Sequence, residues 1–132
     1  MRRSRLQSSE SVVAPAAGDG AGAVPPAFRL DVVPERDAVR VCPVGEVDID
    51  TADSVRGQID ALVGDGFNRV ILDLRGTTFL DSTGLRLAID VHSAAARDGF
   101  DFAIIEGPAR VQRAFEICGL LSQLPFVDPI SR

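Results

Sequence analysis

The segment Val70-Ile-Leu-Asp-Leu74 constrains the fold more than any other part of the chain. Four of its five residues are aliphatic, with only Asp73 interrupting them, as expected for a central strand covered on at least one face. A different periodicity flanks it on both sides. Upstream, Val55, Ile59, Leu62 and Val63 recur at i, i+4, i+7 and i+8, one apolar face of a helix that Asp50 or Thr51 can cap and Gly64 can stop. Downstream, Leu85, Ala88, Ile89, His92 and Ala96 follow Ser82 at helical spacing as far as the Asp98-Gly99 break, and Ser82 is by residue type a good N-cap. A buried strand between two amphipathic helices points to an α/β domain.

The remaining elements extend that pattern. Phe28, Leu30 and Val32 alternate with Arg29 and Asp31, a turn follows around Pro34 to Asp37, and Val39 and Val41 resume the alternation. Pro43 has no N–H for a ladder, so the second strand is expected to end there or to expose that side at an edge. Gly45 opens a loop, and Arg75 to Asp81 reads as another. Phe102 to Ile105 forms the next strand. Gly107-Pro108 starts a third helix on which Val111, Ala114, Phe115 and Cys118 share a face, and Leu124 to Val127 ends the domain as a short strand. The expected architecture is a mixed sheet of four to five strands with helices mainly on one face and right-handed crossovers. Residues 1–27, built from Ser, Ala, Gly and Pro, read as a disordered tail before a single domain over 28–132.

Composition excludes several functions. The formal net charge is −5, and all 14 basic residues are Arg, a balance opposite to that of a nucleic-acid binder. No apolar run approaches the roughly 18 to 20 residues that cross a bilayer, and Arg2, Arg3 and Arg5 are not followed by a signal-peptide apolar region, so a cytoplasmic, membrane-free protein is expected. Cys42 and Cys118 lack a paired metal or redox spacing and read as small core residues.

Two motifs carry a functional resemblance. The stretch Val70-Ile-Leu-Asp-Leu-Arg-Gly-Thr-Thr-Phe-Leu-Asp-Ser-Thr-Gly-Leu85, with Gly45-Glu-Val-Asp48 ahead of it, resembles the STAS domains of stand-alone bacterial anti-sigma factor antagonists over roughly Phe28 to Val127. The resemblance implies the SpoIIAA-like fold and a phosphorylation site at Ser82, the serine directly after Asp81. It further implies a partner-binding surface of Glu46, Asp48, Asp81, Ser82, Thr83, Gly84 and Leu85. Its implied partners are an anti-sigma factor that is also a serine kinase, bound by the unphosphorylated form so that a sigma factor is freed, and a serine phosphatase that resets the switch. The chain itself would be a non-enzymatic transcription regulator of a partner-switching stress response, monomeric when free and without a cofactor. The alternative within the same fold is an unphosphorylated interaction subunit of a transport or signalling complex.

Blander readings stand beside these. Ser82 could simply cap its helix, worth roughly 0.5 to 2 kcal/mol. As a hydrolase nucleophile it would need a base within hydrogen-bond reach. His92, the only histidine, lies ten residues along the same helix, about 15 Å away at the helical rise, and reads as half-buried. The local sequence also lacks the first Gly of a G-x-S-x-G elbow. Glu46, Asp48, Asp50 and Asp53 lack calcium-loop spacing and read as capping and partner-contact residues. Asp73 reads as a strand-end carboxylate bonded to the following loop.

Overall fold

The computed structural model describes residues 28–129, so the expectation of a disordered tail over residues 1–27 lies outside the described residues. The alternating residues after Phe28 form β1 (Arg29–Pro34), which turns back antiparallel onto β2 (Val39–Val47) with Val32 opposite Val41. Helix α1 (Ala52–Gly64) then crosses over to β3 (Arg69–Asp73), parallel to β2. After β4 (Thr77–Leu80) and α2 (Ser82–Asp98), β5 (Asp101–Ile105) pairs parallel with β3. Helix α3 (Ala109–Ile117) leads to β6 (Phe126–Val127) on the far side of β5. The described strands run β1-β2-β3-β5-β6, with β4 joined to β2 beside this path.

The sheet therefore holds six strands rather than four to five. The addition is β4, within the stretch expected as a loop, and it exists because β2 is nine residues long and outruns β3. Val39 to Val41 pair with Val70 to Leu72, whereas Gly45 to Val47 pair with Thr77 to Leu80. Pro43 sits in the interval between the two partners. It is buried, and the strand continues through it, so of the two expected outcomes the strand end is not what happens. The Gly45 N–H donates to Gly76 O on the β4 side at 3.0 Å. By alternation, Pro43's missing donor would face that side too, where the ladder is already interrupted, so the proline costs no bond. Its carbonyl accepts the buried Thr77 hydroxyl at 3.0 Å.

One face of the sheet supplies Leu30, Val39, Val41, Val70, Leu72 and Ile104 to the main core. The helices cover that face. Val55, Ile59 and Leu62 of α1 are buried as expected, with Val63 at the margin. On α2 the buried residues are Leu87, Ala88, Val91, Ala94 and Ala95, so of the expected stripe only Ala88 is buried: Leu85 and Ile89 are half-buried, and His92 and Ala96 are exposed. Apolar residues occupy much of this helix's circumference, so spacing alone could not choose between the two stripes. Val111 and Phe115 of α3 are buried, Phe115 meeting Phe126 edge-on at 5.2 Å, but Cys118 is exposed and Cys42 half-buried, so neither is the fully buried residue expected.

Asp73 is the main polar group within the sheet, its side chain 5% exposed. It accepts the Arg75 backbone N–H at 3.0 Å and the Arg75 guanidinium at 2.8 and 3.0 Å, the loop bonding expected of it. Arg40 of β2, which the sequence did not point to, adds a bond at 2.9 Å and joins Glu35 at 3.0 Å. Burial pushes the Asp73 pKa upward, but the bonds from Arg75 and Arg40 outweigh it and bring the carboxyl down to about 2. A group depressed in the folded state stabilises the fold above its unfolded pKa of about 3.9, and that contribution is lost as pH falls through about 2. Acid unfolding of the parent should therefore show a component between about pH 4 and 2 that Asp73→Asn lacks, read by circular dichroism. Burial, aided by the Asp73 charge, also pushes the Cys42 thiol up to about 11, against the opposing effect of Arg40. At pH 7.5 a maleimide should label Cys118 well before Cys42, with peptide mass spectrometry assigning the sites.

Candidate functional site

The split pairing of β2 sets the geometry of the Ser82 region. Because Val47 lies opposite Leu80, the loop leaving β2 and the start of α2 emerge side by side, and the Asp81 N–H donates to Val47 O at 3.3 Å. The β2 loop is tied by its own side chains. The Thr51 hydroxyl donates to Glu46 O at 2.7 Å and accepts the Asp48 N–H at 3.0 Å, while Asp48 Oδ1 accepts the Asp50 N–H at 2.9 Å. Thr51 does occupy the N-cap position of α1, but its hydroxyl is turned to the loop and makes no cap bond. Among Glu46, Asp48, Asp50 and Asp53, Asp48 is half-buried and the others are exposed.

At α2 the cap is Asp81, one residue earlier than expected. Its Oδ1 accepts the Thr83 N–H at 2.9 Å and the Gly84 N–H at 3.2 Å. A carboxylate reaches two orphan amides and complements the helix dipole better than a hydroxyl does, which is why the cap falls there. Ser82 is thereby the first helical residue and exposed, and its hydroxyl makes no hydrogen bond among the described residues. Gly84 is buried: a Cβ there would lie 2.7 Å from Leu80 Cγ and 3.1 Å from Val47 O. Its lack of a side chain thus serves the close approach of α2 to the ends of β2 and β4. Thr83 is half-buried, and Leu85 packs partly against the core.

The structure brings all seven expected residues to one end of the sheet and adds two that motif reading passed over. Ile49, at the tip of the β2 loop, is 74% exposed, and Phe79, opposite Glu46, is 40% exposed. An isoleucine flanked by Asp48 and Asp50 is a local signal of an apolar contact point, while Phe79 is a signal only once β4 is known to be a strand. Phe79 also walls an open depression of about 430 Å³ with Leu80, Arg110, Arg113, Ala114 and Ile117. His92 is exposed on the same helix as Ser82, ten residues on, so it does not face the hydroxyl. The site presents an unengaged hydroxyl among carboxylates and exposed apolar side chains, an arrangement suited to contact and modification rather than to activating a nucleophile.

The chain has relatives among known proteins. The chain is 29% identical to the anti-sigma F factor antagonist of Paenibacillus polymyxa, over 76% of this chain and 87% of that protein. It is 31% identical to BtrV of Bordetella bronchiseptica, by name a candidate anti-sigma factor antagonist, over 66% of this chain and 75% of that protein. The unphosphorylated form of the anti-sigma factor antagonist SpoIIAA superposes with a TM-score of 0.63 at 21% identity, covering 80% of this chain and 91% of that one. The phosphorylated form of the same Bacillus protein gives a TM-score of 0.58 at 20% identity, covering 80% and 95%. No helix among the described residues is long and apolar enough to cross a membrane. A family model for the STAS domain matches residues 31–131, and the chain belongs to the STAS domain family.

Proposed function

We propose that this chain is an anti-sigma factor antagonist that works as a phospho-switch on Ser82. In its unphosphorylated form it binds an anti-sigma factor that is also a serine kinase, freeing the sigma factor. Phosphorylation of Ser82 by that kinase ends the complex, and a serine phosphatase restores it. The observation that carries this reading is the division of labour at the start of α2. Asp81 performs the capping, so the neighbouring hydroxyl is exposed, held on rigid backbone and unneeded by the fold. The names of the two relatives and the existence of SpoIIAA in both phosphorylation states support it.

The same geometry gives the switch its sign. A helix N-terminus ordinarily welcomes a phosphate, but here the Thr83 and Gly84 amides are already taken by Asp81. A phosphate on Ser82 therefore adds about −1.5 to −2 charges beside an existing carboxylate with few local donors to absorb them. That charge stands toward whatever partner surface had covered the hydroxyl, next to Asp81, Asp48 and Glu46, and desolvating it opposes binding. The kinase supplies ATP and magnesium, so the chain acts as a shaped surface plus an acceptor. Glu46, Asp48, Asp81, Thr83 and Leu85 form the partner surface in this reading, with Ile49 and Phe79 as apolar contacts and Gly84 acting through packing.

Variant binding tests this reading. Ser82→Ala should bind the anti-sigma factor kinase like the parent and unfold within about 0.5 kcal/mol of it, because no cap is lost. Ser82→Glu should bind at least tenfold more weakly by calorimetry, and equal affinity would remove the electrostatic basis of the switch. Asp81→Ala should instead lower stability by roughly 1 kcal/mol in urea unfolding, the loss of a cap.

A further inference from the structure

Helix α3 has two apolar faces. Val111 and Phe115 are buried in the core, while Ala114 and Ile117, with Arg110 and Arg113, line the depression that Phe79 and Leu80 close from β4. The spacing 110, 113, 114 and 117 puts all four on one stripe of the helix. Ile117 is 73% exposed and Phe79 40%, so two large apolar side chains of the same depression stand in water. An isolated exposed apolar residue needs no explanation, but a pair sharing one depression with arginines is the pattern of an interaction surface.

The two arginines do nothing evident for the fold. Arg29, Arg40, Arg56, Arg75 and Arg97 each meet a carboxylate. Arg110 and Arg113 meet none among the described residues, although the chain carries 19 acidic residues against 14 Arg. Arg110 lies in the first turn of α3, where the helix dipole is positive and no acidic residue offsets it. Arg113, three residues on, shares its stripe and repels it. A carboxylate at position 110 would suit the helix better, so stability does not account for the pair.

We infer that this depression docks an acidic segment of the anti-sigma factor kinase, with an apolar side chain between Phe79 and Ile117 and carboxylates on Arg110 and Arg113. The partner's identity rests on the proposed function. Shape, charge and position all favour this occupant. The depression is open and would cover an occupant on one side only, which suits a protein surface better than a small ligand, most of whose area a pocket buries. Both charged side chains lining it are Arg, each able to hold a carboxylate through two N–H bonds. Phe79 lies opposite Glu46 in the β2–β4 register, so the depression continues the Ser82 surface. The combined surface has two signs, acidic at Glu46, Asp48 and Asp81 and basic along α3. A partner matching both is fixed in register, and one with a uniformly charged face is rejected.

Cross-linking and charge reversal in the full chain test it. With photoreactive benzoylphenylalanine in place of Ile117, the kinase should be captured through a segment rich in Asp and Glu. Capture through a basic or uncharged segment, or of a second copy of the chain instead of the kinase, would overturn the inference. Arg110→Glu with Arg113→Glu should bind the kinase at least tenfold more weakly, associate more slowly and lose less affinity as salt is raised. Both side chains are exposed, so this variant should unfold in urea no earlier than the parent. Parent-like affinity in the variant, with the parent still phosphorylated on Ser82, would overturn the docking and leave the switch standing. A parent that neither binds the kinase nor accepts phosphate would overturn both.

Discussion

Strand β2 has more sheet than one neighbour can satisfy, and much of the molecule follows from that excess. It carries β1 along one edge, β3 along the first part of the other and β4 along the last. If β2 ended at Pro43, β4 would have nothing to pair with, and the chain from Arg75 to Asp81 would have no fixed course. The change of partner from β3 to β4 leaves one gap in the ladder, and the proline fills it. Beyond the gap, Val47 and Leu80 bring two strand ends together, and the space between them and α2 is closed only because position 84 carries no side chain.

The Ser82 surface is therefore built by backbone pairing rather than by a network of polar side chains. Asp81 follows β4 directly and starts α2, taking two of the helix's orphan amides and leaving the next residue's hydroxyl outward and unbonded among the described residues. The β2 loop is held in the same manner, by the Thr51 hydroxyl bridging Glu46 and Asp48. Such a fixed backbone suits the proposed role as a kinase acceptor, because the segment that carries the hydroxyl needs little ordering on binding. Such a site needs no perturbed acid or base of its own. The strongly shifted groups, Asp73 and Cys42, belong instead to the ionic cluster with Arg40 and Arg75, which ties β2 to the end of β3.

How far the sequence revealed this depends on the kind of signal. The Val70 to Leu74 strand, the α1 stripe and, to within one residue, the start of α2 were legible because each is a dense local pattern. Strand β4 was not, since Thr77 to Leu80 is buried only at its two ends and gains strand character from β2, thirty residues earlier. Pro43 misled for a related reason: a missing donor matters only where a partner waits for it, and that is a property of the sheet. The α2 face was misassigned because two apolar stripes competed and only tertiary packing chose between them. The serine itself was found through the motif, but its exposure depends on the neighbouring aspartate taking the cap, a choice between adjacent residues that propensity does not resolve.

The central claim is that Ser82 is the residue on which a partner kinase acts, and site mapping tests it most directly. The purified chain would be incubated with its anti-sigma factor kinase, ATP and magnesium, and any phosphate located by intact and peptide mass spectrometry. The account predicts a single phosphate on Ser82 and disappearance of the complex as it accumulates. A stable complex that never acquires phosphate, or a phosphate confined to another residue, would contradict it.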